Sequence, residues 1–144
     1  MNGTVTWIGI RPERKTPMIP KDAVYADSAS GLSGDHDTQP HRQVTLISKE
    51  ALMQVAGALG LEAVDPGLTR RNIQISGLDF NVQAGTKIRI GEALMEVTGP
   101  CLPCSRMDEN LGPGGRDAMA NAGGLTGRIL ESGQIVIGDT VTLA

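Results

Sequence analysis

A chain of 144 residues with 40% apolar side chains suits a single domain over residues 1–144 with an ordinary buried core, which excludes a disordered chain. A formal charge of −3 and only one Trp, one Tyr and one Phe argue against nucleic acid as a partner, since phosphate binding needs a basic surface and base stacking needs rings. Residues 1–10 lack the basic region and long apolar core of a signal peptide and no apolar run reaches membrane-spanning length, so the expectation is a cytoplasmic protein with no membrane partner.

In chain order, residues 4–10 alternate Val5 and Trp7, then Ile8 and Ile10, and predict a first strand that stops at the basic, proline-punctuated loop Arg11-Pro12-Glu13-Arg14-Lys15-Thr16-Pro17. Residues 27–40 are small and polar, a loop of the length that compact domains keep for function. Gln43-Val44-Thr45-Leu46-Ile47 predicts a strand, after which Ser48 caps a helix with Leu52, Val55, Ala56 and Leu59 at helical spacing, ending at Gly60 and covering one opening or face of the sheet. Arg70 and Arg71 lead into a further strand through Asn72, Ile73 and Ile75 to a turn at Gly77.

Residues 85–97 and 133–143 look alike. Each is a short alternating strand, a Gly-Glu or Gly-Asp turn and a second apolar strand, so each is expected to form a hairpin. With 19 glycines and 8 prolines keeping every element short, the expected fold is mainly β with short helices, an α+β domain built on a small closed or nearly closed barrel. Between the two stretches, residues 106–111 and 116–122 predict helical turns separated by Gly112-Pro113-Gly114-Gly115, and residues 126–130 predict a strand.

Both cysteines lie in Gly99-Pro100-Cys101-Leu102-Pro103-Cys104-Ser105-Arg106, at a strand-to-helix junction. Two thiols at this spacing bind a metal, cycle through a disulfide or carry sulfur as a persulfide. Cys104, close to a helix start and to Arg106, reads as the nucleophile or as a soft metal ligand, against the plainer reading of a small buried hydrophobe. Zinc is an alternative in which Cys101 and Cys104 join His36 and His41, and a thioredoxin-like dithiol is another, although its flanking βαβ pattern is missing here. Arg70 and Arg71 suit a bidentate grip on a phosphate, or solvation at a strand end. Asn72 serves a pocket or a turn. Gly114, Gly115 and Arg116 resemble an anion cradle, without the lysine ending of a Walker loop.

Taken in order, Arg71-Asn72-Ile73, the strand pattern from Gly85 through Ile88, Ile90 and Gly91 to Ala93, Pro103-Cys104, the glycine-rich segment and the final pattern Gly133, Ile135, Ile137, Gly138, Asp139 closely resemble the MOSC domain, the molybdenum cofactor sulfurase C-terminal domain. The resemblance runs from about Val5 to the end and implies a standalone β-barrel of small bacterial type. It puts the family's signature cysteine on Cys104 and makes Cys101 a departure shared by part of the family. It implies a sulfur carrier working through a Cys104 persulfide, or a binder of molybdenum cofactor (molybdopterin) with Cys104 as metal ligand. Arg70, Arg71, Asn72, Arg106 and His36, with Gly34, Asp35 and Arg42 nearby, would edge the pocket. Cys101 would resolve the persulfide by forming a disulfide with Cys104. Implied partners are a cysteine desulfurase or other sulfur donor, and a molybdoenzyme or electron-transfer protein. The implied alternatives are molybdenum-dependent reduction of N-hydroxylated compounds and a non-catalytic module that binds zinc or a partner. Pyridoxal phosphate, which belongs to the desulfurase domain fused to some relatives, is not expected in a chain whose only lysines are Lys15, Lys21, Lys49 and Lys87.

Overall fold

The computed structural model describes residues 2–104 and 106–144. Eleven strands and three short helices are found among them. Seven strands close into a barrel in the order β11 (Thr140–Leu143), β7 (Lys87–Ile90), β8 (Ala93–Pro100), β9 (Leu125–Glu131), β5 (Val44–Ser48), β6 (Ile73–Ser76) and β1 (Gly3–Ile10). Pairing of Gly3 with Val141 and of Thr4 with Thr140 brings β1 back to β11, and closure leaves no open edge in the ring. Short β2 (Ile19–Lys21) extends the far half of β1, while β10 (Gly133–Val136), β3 (Ala23–Asp27) and β4 (Gly31–Leu32) form a separate three-stranded sheet. The expected small barrel is therefore the architecture.

The interior is aliphatic. Ile8, Leu46, Ile73, Ile75, Ile88, Ile135 and Val141 are all fully enclosed, so branched side chains fill the space that rings occupy in more aromatic proteins. In β1 the pairing with β6 shifts between Val5 and Trp7, a bulge that reverses the side-chain phase. Val5 points inward before it and Ile8 and Ile10 point inward after it, while Trp7 lies outside the barrel core. The break in alternation visible in residues 4–10 is this bulge.

A second apolar cluster lies outside the barrel wall. Leu52, Val55 and Ala56 of α1 (Lys49–Ala58) pack with Ile47, Val64, Met107 and Met119. Ser48 caps α1 through its side chain, which accepts from the Ala51 N–H at 3.1 Å. This cluster anchors α2 (Arg106–Leu111) through Met107, whose N–H bonds the Cys104 carbonyl at 2.9 Å, so the cysteine loop hangs from a packed helix. The third helix, α3 (Gly115–Ala118), is a single turn.

Two expectations are corrected. Residues 133–143 do not form a hairpin: after a turn in which Asp139 Oδ2 accepts from the Val136 N–H at 2.8 Å, β10 pairs with β3 while β11 joins β7 and β1. Local pattern announced the strands and the turn, but barrel closure takes β11 elsewhere. Second, β5 and β6 run parallel, joined across α1, a crossover the pattern reading did not foresee. Inside residues 27–40 the polar stretch also hides β4 and the buried Asp35.

Gly123 and Gly124, ahead of β9, have a steric task. A Cβ on Gly123 would lie 2.0 Å from the Cys101 carbonyl oxygen, and one on Gly124, at φ +92°, 1.8 Å from that of Leu46. Gly124→Ala is expected to lower stability by about 2–4 kcal/mol, through positive-φ strain and a backbone clash that cannot relax. A downward shift of the urea midpoint at unchanged slope checks it.

Candidate functional site

Six of the chain's arginines converge on one cleft of about 320 Å³: Arg11, Arg14, Arg42, Arg70, Arg71 and Arg106, with His36, Asp37, Leu102 and Cys104 also in its wall. They come from the exits of β1 and the polar loop, from the lead into β6 and from the start of α2.

The cleft is built on a buried polar network. Asp35 Oδ1 accepts from the Arg11 backbone N–H at 2.6 Å, from Arg11 Nε at 3.2 Å and from Asn72 Nδ2 at 3.1 Å, while Oδ2 accepts from Arg11 Nη2 at 2.9 Å. Burial pushes the Asp35 carboxyl upward, but the hydrogen bonds and charge of Arg11 together with the Asp37 N–H outweigh it and hold it below the usual carboxylate range. Asn72 also donates to the Gly9 carbonyl at 3.1 Å and accepts from the Thr45 N–H at 3.1 Å and the Thr45 hydroxyl at 2.9 Å. Its amide is thus spent on tying β1, β5 and the Asp35 loop together. It does not line the cleft.

Arg71 is buried and, among the described residues, has no carboxylate partner. Its guanidinium donates to the carbonyls of Gly123 at 2.7 Å, Thr69 at 2.9 Å, Cys101 at 3.1 Å and Leu102 at 3.3 Å. The positive charge therefore clamps the backbone on which the cysteines sit. Burial, and then the charges of Arg42 and Arg11, lower its proton affinity, while the two cysteines raise it. Arg70, in the left-handed region at φ 62°, donates to the carbonyls of Thr16 and Glu13 and so holds the 11–17 loop, with Arg14 on it, over the cleft. Its proton affinity is lowered by burial and by the charges of Arg11 and Arg106.

The carboxylates present compensate only two of the six cations, Arg11 through Asp35 and Arg42 through Asp37 at 3.3 Å. Among the described residues Arg14, Arg70, Arg71 and Arg106 have no ion-pair partner, and Arg14 and Arg106 donate no hydrogen bond from their side chains. Like charges held this close repel, and an anion in the cleft relieves that repulsion while filling the vacant donors.

The two thiols are both free but occupy different places. Cys104 is exposed at the cleft, whereas Cys101 is 1% exposed with its Sγ 3.6 Å from Arg42 Nη1, behind the wall. His36 reaches the cleft with its Nδ1 2.9 Å from the Arg11 carbonyl, but His41 is exposed and no group of three or more His, Cys, Asp or Glu able to hold a metal ion occurs among the described residues. The Cys2His2 arrangement is not assembled.

The glycine-rich segment also lies apart from the cleft. A Cβ on Gly115 would sit 2.3 Å from the Met107 carbonyl oxygen, the Arg116 N–H is taken by Asp108 Oδ1 at 3.0 Å, and Gly114 faces Leu59. These glycines let α3 pack on α2, and they do not share a pocket with Arg71. Arg11 and Arg14 were absent from the residues singled out by sequence, although the loop holding them was visibly basic. The missing signal was that both follow a strand end with a single glutamate between them.

A model of the MOSC domain family matches residues 33–142. The chain belongs to the MOSC domain family. Among solved structures, the YuaD protein from Bacillus subtilis aligns at a TM-score of 0.84 with 17% identity, over 98% of this chain and 94% of that one. YiiM from Escherichia coli aligns at 0.77 with 24% identity, over 100% of this chain and 70% of its own, and YiiM from Geobacillus stearothermophilus at 0.80 with 20%, over 99% and 75%. At these identities the likeness is one of fold. No curated protein matches the chain. MOSC domains are associated with molybdenum cofactor, and no helix among the described residues is long and apolar enough to cross a membrane.

Two predictions follow from this geometry. Limited alkylation with peptide mapping is expected to label Cys104 well before Cys101, because only Cys104 is open to solvent. The Asp35 carboxyl, titrating lower folded than at its unfolded value of about 3.9, stabilises fully above that value and loses its contribution as pH falls through the folded one. Asp35→Asn is expected to cost about 3–5 kcal/mol at neutral pH by stranding Arg11, and to flatten the acid limb of the stability profile measured by urea unfolding.

Proposed function

We propose that this MOSC domain carries sulfane sulfur on Cys104 and delivers it to an anionic molybdenum cofactor held by the arginine cleft. The observation that carries the reading is the exposed Cys104 thiol in a cleft of six arginines, four of them without a carboxylate. The Cys104 thiolate attacks the outer sulfur of a donor persulfide. Its sulfur forms a new S–S bond, the donor's S–S bond breaks, and the donor leaves as a thiolate, so one sulfur atom moves with no net change of oxidation state. Neighbouring guanidiniums are placed to hold the anionic group of an incoming reactant. A cysteine desulfurase is the fitting donor and a molybdoenzyme the fitting destination.

The residues present fit such a cofactor. Arg14 and Arg106 offer unused donors for phosphate oxygens, Cys104 offers soft sulfur suited to molybdenum, and a cleft of about 320 Å³ has the size of a small-ligand site. When bound, the group supplies a thiophilic metal centre. The chain's own part is to neutralise the phosphate and to keep the Cys104 thiol exposed on a clamped loop.

The test is sulfur loading by a cysteine desulfurase and cysteine, followed by intact mass. Wild type is expected to gain one sulfur atom and Cys104→Ser none, since a hydroxyl is neither soft nor ionised at neutral pH. Cys101→Ser is expected to load and to hold its sulfur longer than wild type, because the only other thiol of the chain is gone. Loading of Cys104→Ser overturns the assignment.

A further inference from the structure

The cysteine loop also borders a second, larger groove of about 520 Å³. Leu102, 71% exposed, lines both this groove and the arginine cleft. In charge the two are opposites. Among the described residues no Asp, Glu, Lys, Arg or His lines the groove, and apart from the buried Cys101 its polar side chains are the Ser48 hydroxyl and the amides of Asn81, Gln83 and Asn121. None of those three amide groups forms a hydrogen bond among the described residues, the one side-chain bond near them being that of the Asn81 backbone N–H to Asp79 Oδ1 at 2.8 Å.

The groove opens where the barrel wall parts. The lead into β7 stays bonded to β8 as far as Val97, whose carbonyl accepts from the Gly85 N–H and whose N–H donates to the Thr86 carbonyl, each at 2.8 Å. Beyond that point β8 runs on to Pro100, but upstream of Gly85 the chain leaves it, and Val82, Gln83 and Ala84 line the groove together with Gly99 and Pro100. Along the departing stretch Phe80 and Val82 pack against the barrel core while Asn81 and Gln83 are exposed, the two-residue alternation of an extended chain. Among the described residues the N–H groups of Phe80, Val82, Gln83 and Ala84 have no acceptor, and the carbonyls of Phe80, Asn81 and Val82 have no donor. An extended stretch with its backbone groups unspent is a strand edge without a neighbour.

We infer that this groove takes an extended, uncharged segment of the sulfur donor, added as a strand beside residues 80–84, so that the donor's persulfide reaches Cys104 past Leu102. The inference rests on the reading of Cys104 as a sulfur carrier. A run of unpaired N–H and C=O groups matches a peptide backbone, and so do the primary amides beside it, each of which both donates and accepts. The uncharged lining selects a segment that brings no charge to be desolvated, and leaves phosphate-bearing ligands to the arginines. The groove meets the cleft at Leu102, two residues before Cys104, so an occupant lies beside the thiol without competing for the cationic donors.

The probe is a short fluorescein-labelled peptide copying the desulfurase segment around its persulfide cysteine, with serine in place of that cysteine. Titrated with the full chain, it is expected to bind saturably by fluorescence anisotropy. Gln83→Pro removes one unspent N–H and breaks no hydrogen bond of the fold, and Asn121→Leu removes an amide of similar shape at an exposed position. Each variant is expected to weaken the peptide about tenfold, the loss of one hydrogen bond, and to slow loading of Cys104 by a subsaturating cysteine desulfurase by a similar factor. Loading by cysteine persulfide, a donor too small to need the groove, and alkylation of Cys104 are expected to keep their wild-type rates in both variants. A peptide that does not bind wild type, or binding and desulfurase-driven loading unchanged in both variants, overturns the inference and leaves the carrier reading standing wherever cysteine persulfide still loads Cys104. Failure of both donors to load wild type overturns the carrier reading and the inference with it. A dimer in sedimentation that Gln83→Pro dissociates makes the occupant a second copy of this chain and overturns the assignment to the donor.

Discussion

Asp35 is the residue around which the functional end of the barrel is organised. A carboxylate taken out of water must be repaid by charge and hydrogen bonds, and here five donors come from three parts of the chain: the end of β1 through three groups of Arg11, the lead into β6 through Asn72, and its own loop through Asp37. Fixing those segments fixes the directions in which Arg11, Arg42, Arg70 and Arg71 enter the cleft. Asn72 extends the same network to Thr45 on β5, so the site is bonded directly to the barrel wall. No buried side-chain nitrogen or oxygen among the described residues lacks a partner, which is the condition for such a network to define one arrangement.

On this base five of the six arginines divide into two kinds, with Arg42 paired to Asp37 apart from both. Arg11, Arg70 and Arg71 are buried and spend their donors on the protein, Arg11 on Asp35 and the other two on backbone carbonyls. Arg14 and Arg106 are more exposed and spend none of theirs on the protein among the described residues. The first kind supplies shape and field, and the second leaves donors open at the cleft. Concentrating so much positive charge in a chain of net charge −3 makes the cleft electrostatically distinct from the rest of the surface. Such a field draws anions towards the cleft.

The cysteine loop is held from both sides by contacts that leave Cys104 outside. Arg71 clamps the carbonyls of Cys101 and Leu102, Gly123 and Gly124 allow the lead into β9 to pass at backbone distance, and the Cys101 N–H bonds the Gly124 carbonyl at 2.8 Å. Downstream, Met107 is sealed in the helical cluster beside the barrel. An exposed thiol on an otherwise fixed loop has little ordering cost left to pay in any encounter.

Much of this was legible without coordinates. Alternation and turn chemistry are local, so the strands at residues 4–10, 43–47 and 126–130, the Ser48 cap and the hairpin of β7 and β8 could be read directly, and even the bulge showed as a phase break between Trp7 and Ile8. Family resemblance pointed to Cys104 and the arginine pair. What only the tertiary structure decided is which distant segments meet. The apparent hairpin at residues 133–143 separates because barrel closure offers β11 two partners and β10 a third, and such pairings carry no local signal. Arg11 and Arg14 joined Cys104 for the same reason, while Gly115 and Arg116, close to it in sequence, were drawn away by packing on α2. Periodicity reports the face a residue shows, whereas convergence of charge depends on how the chain closes on itself, and a long-range equilibrium among whole elements settles that.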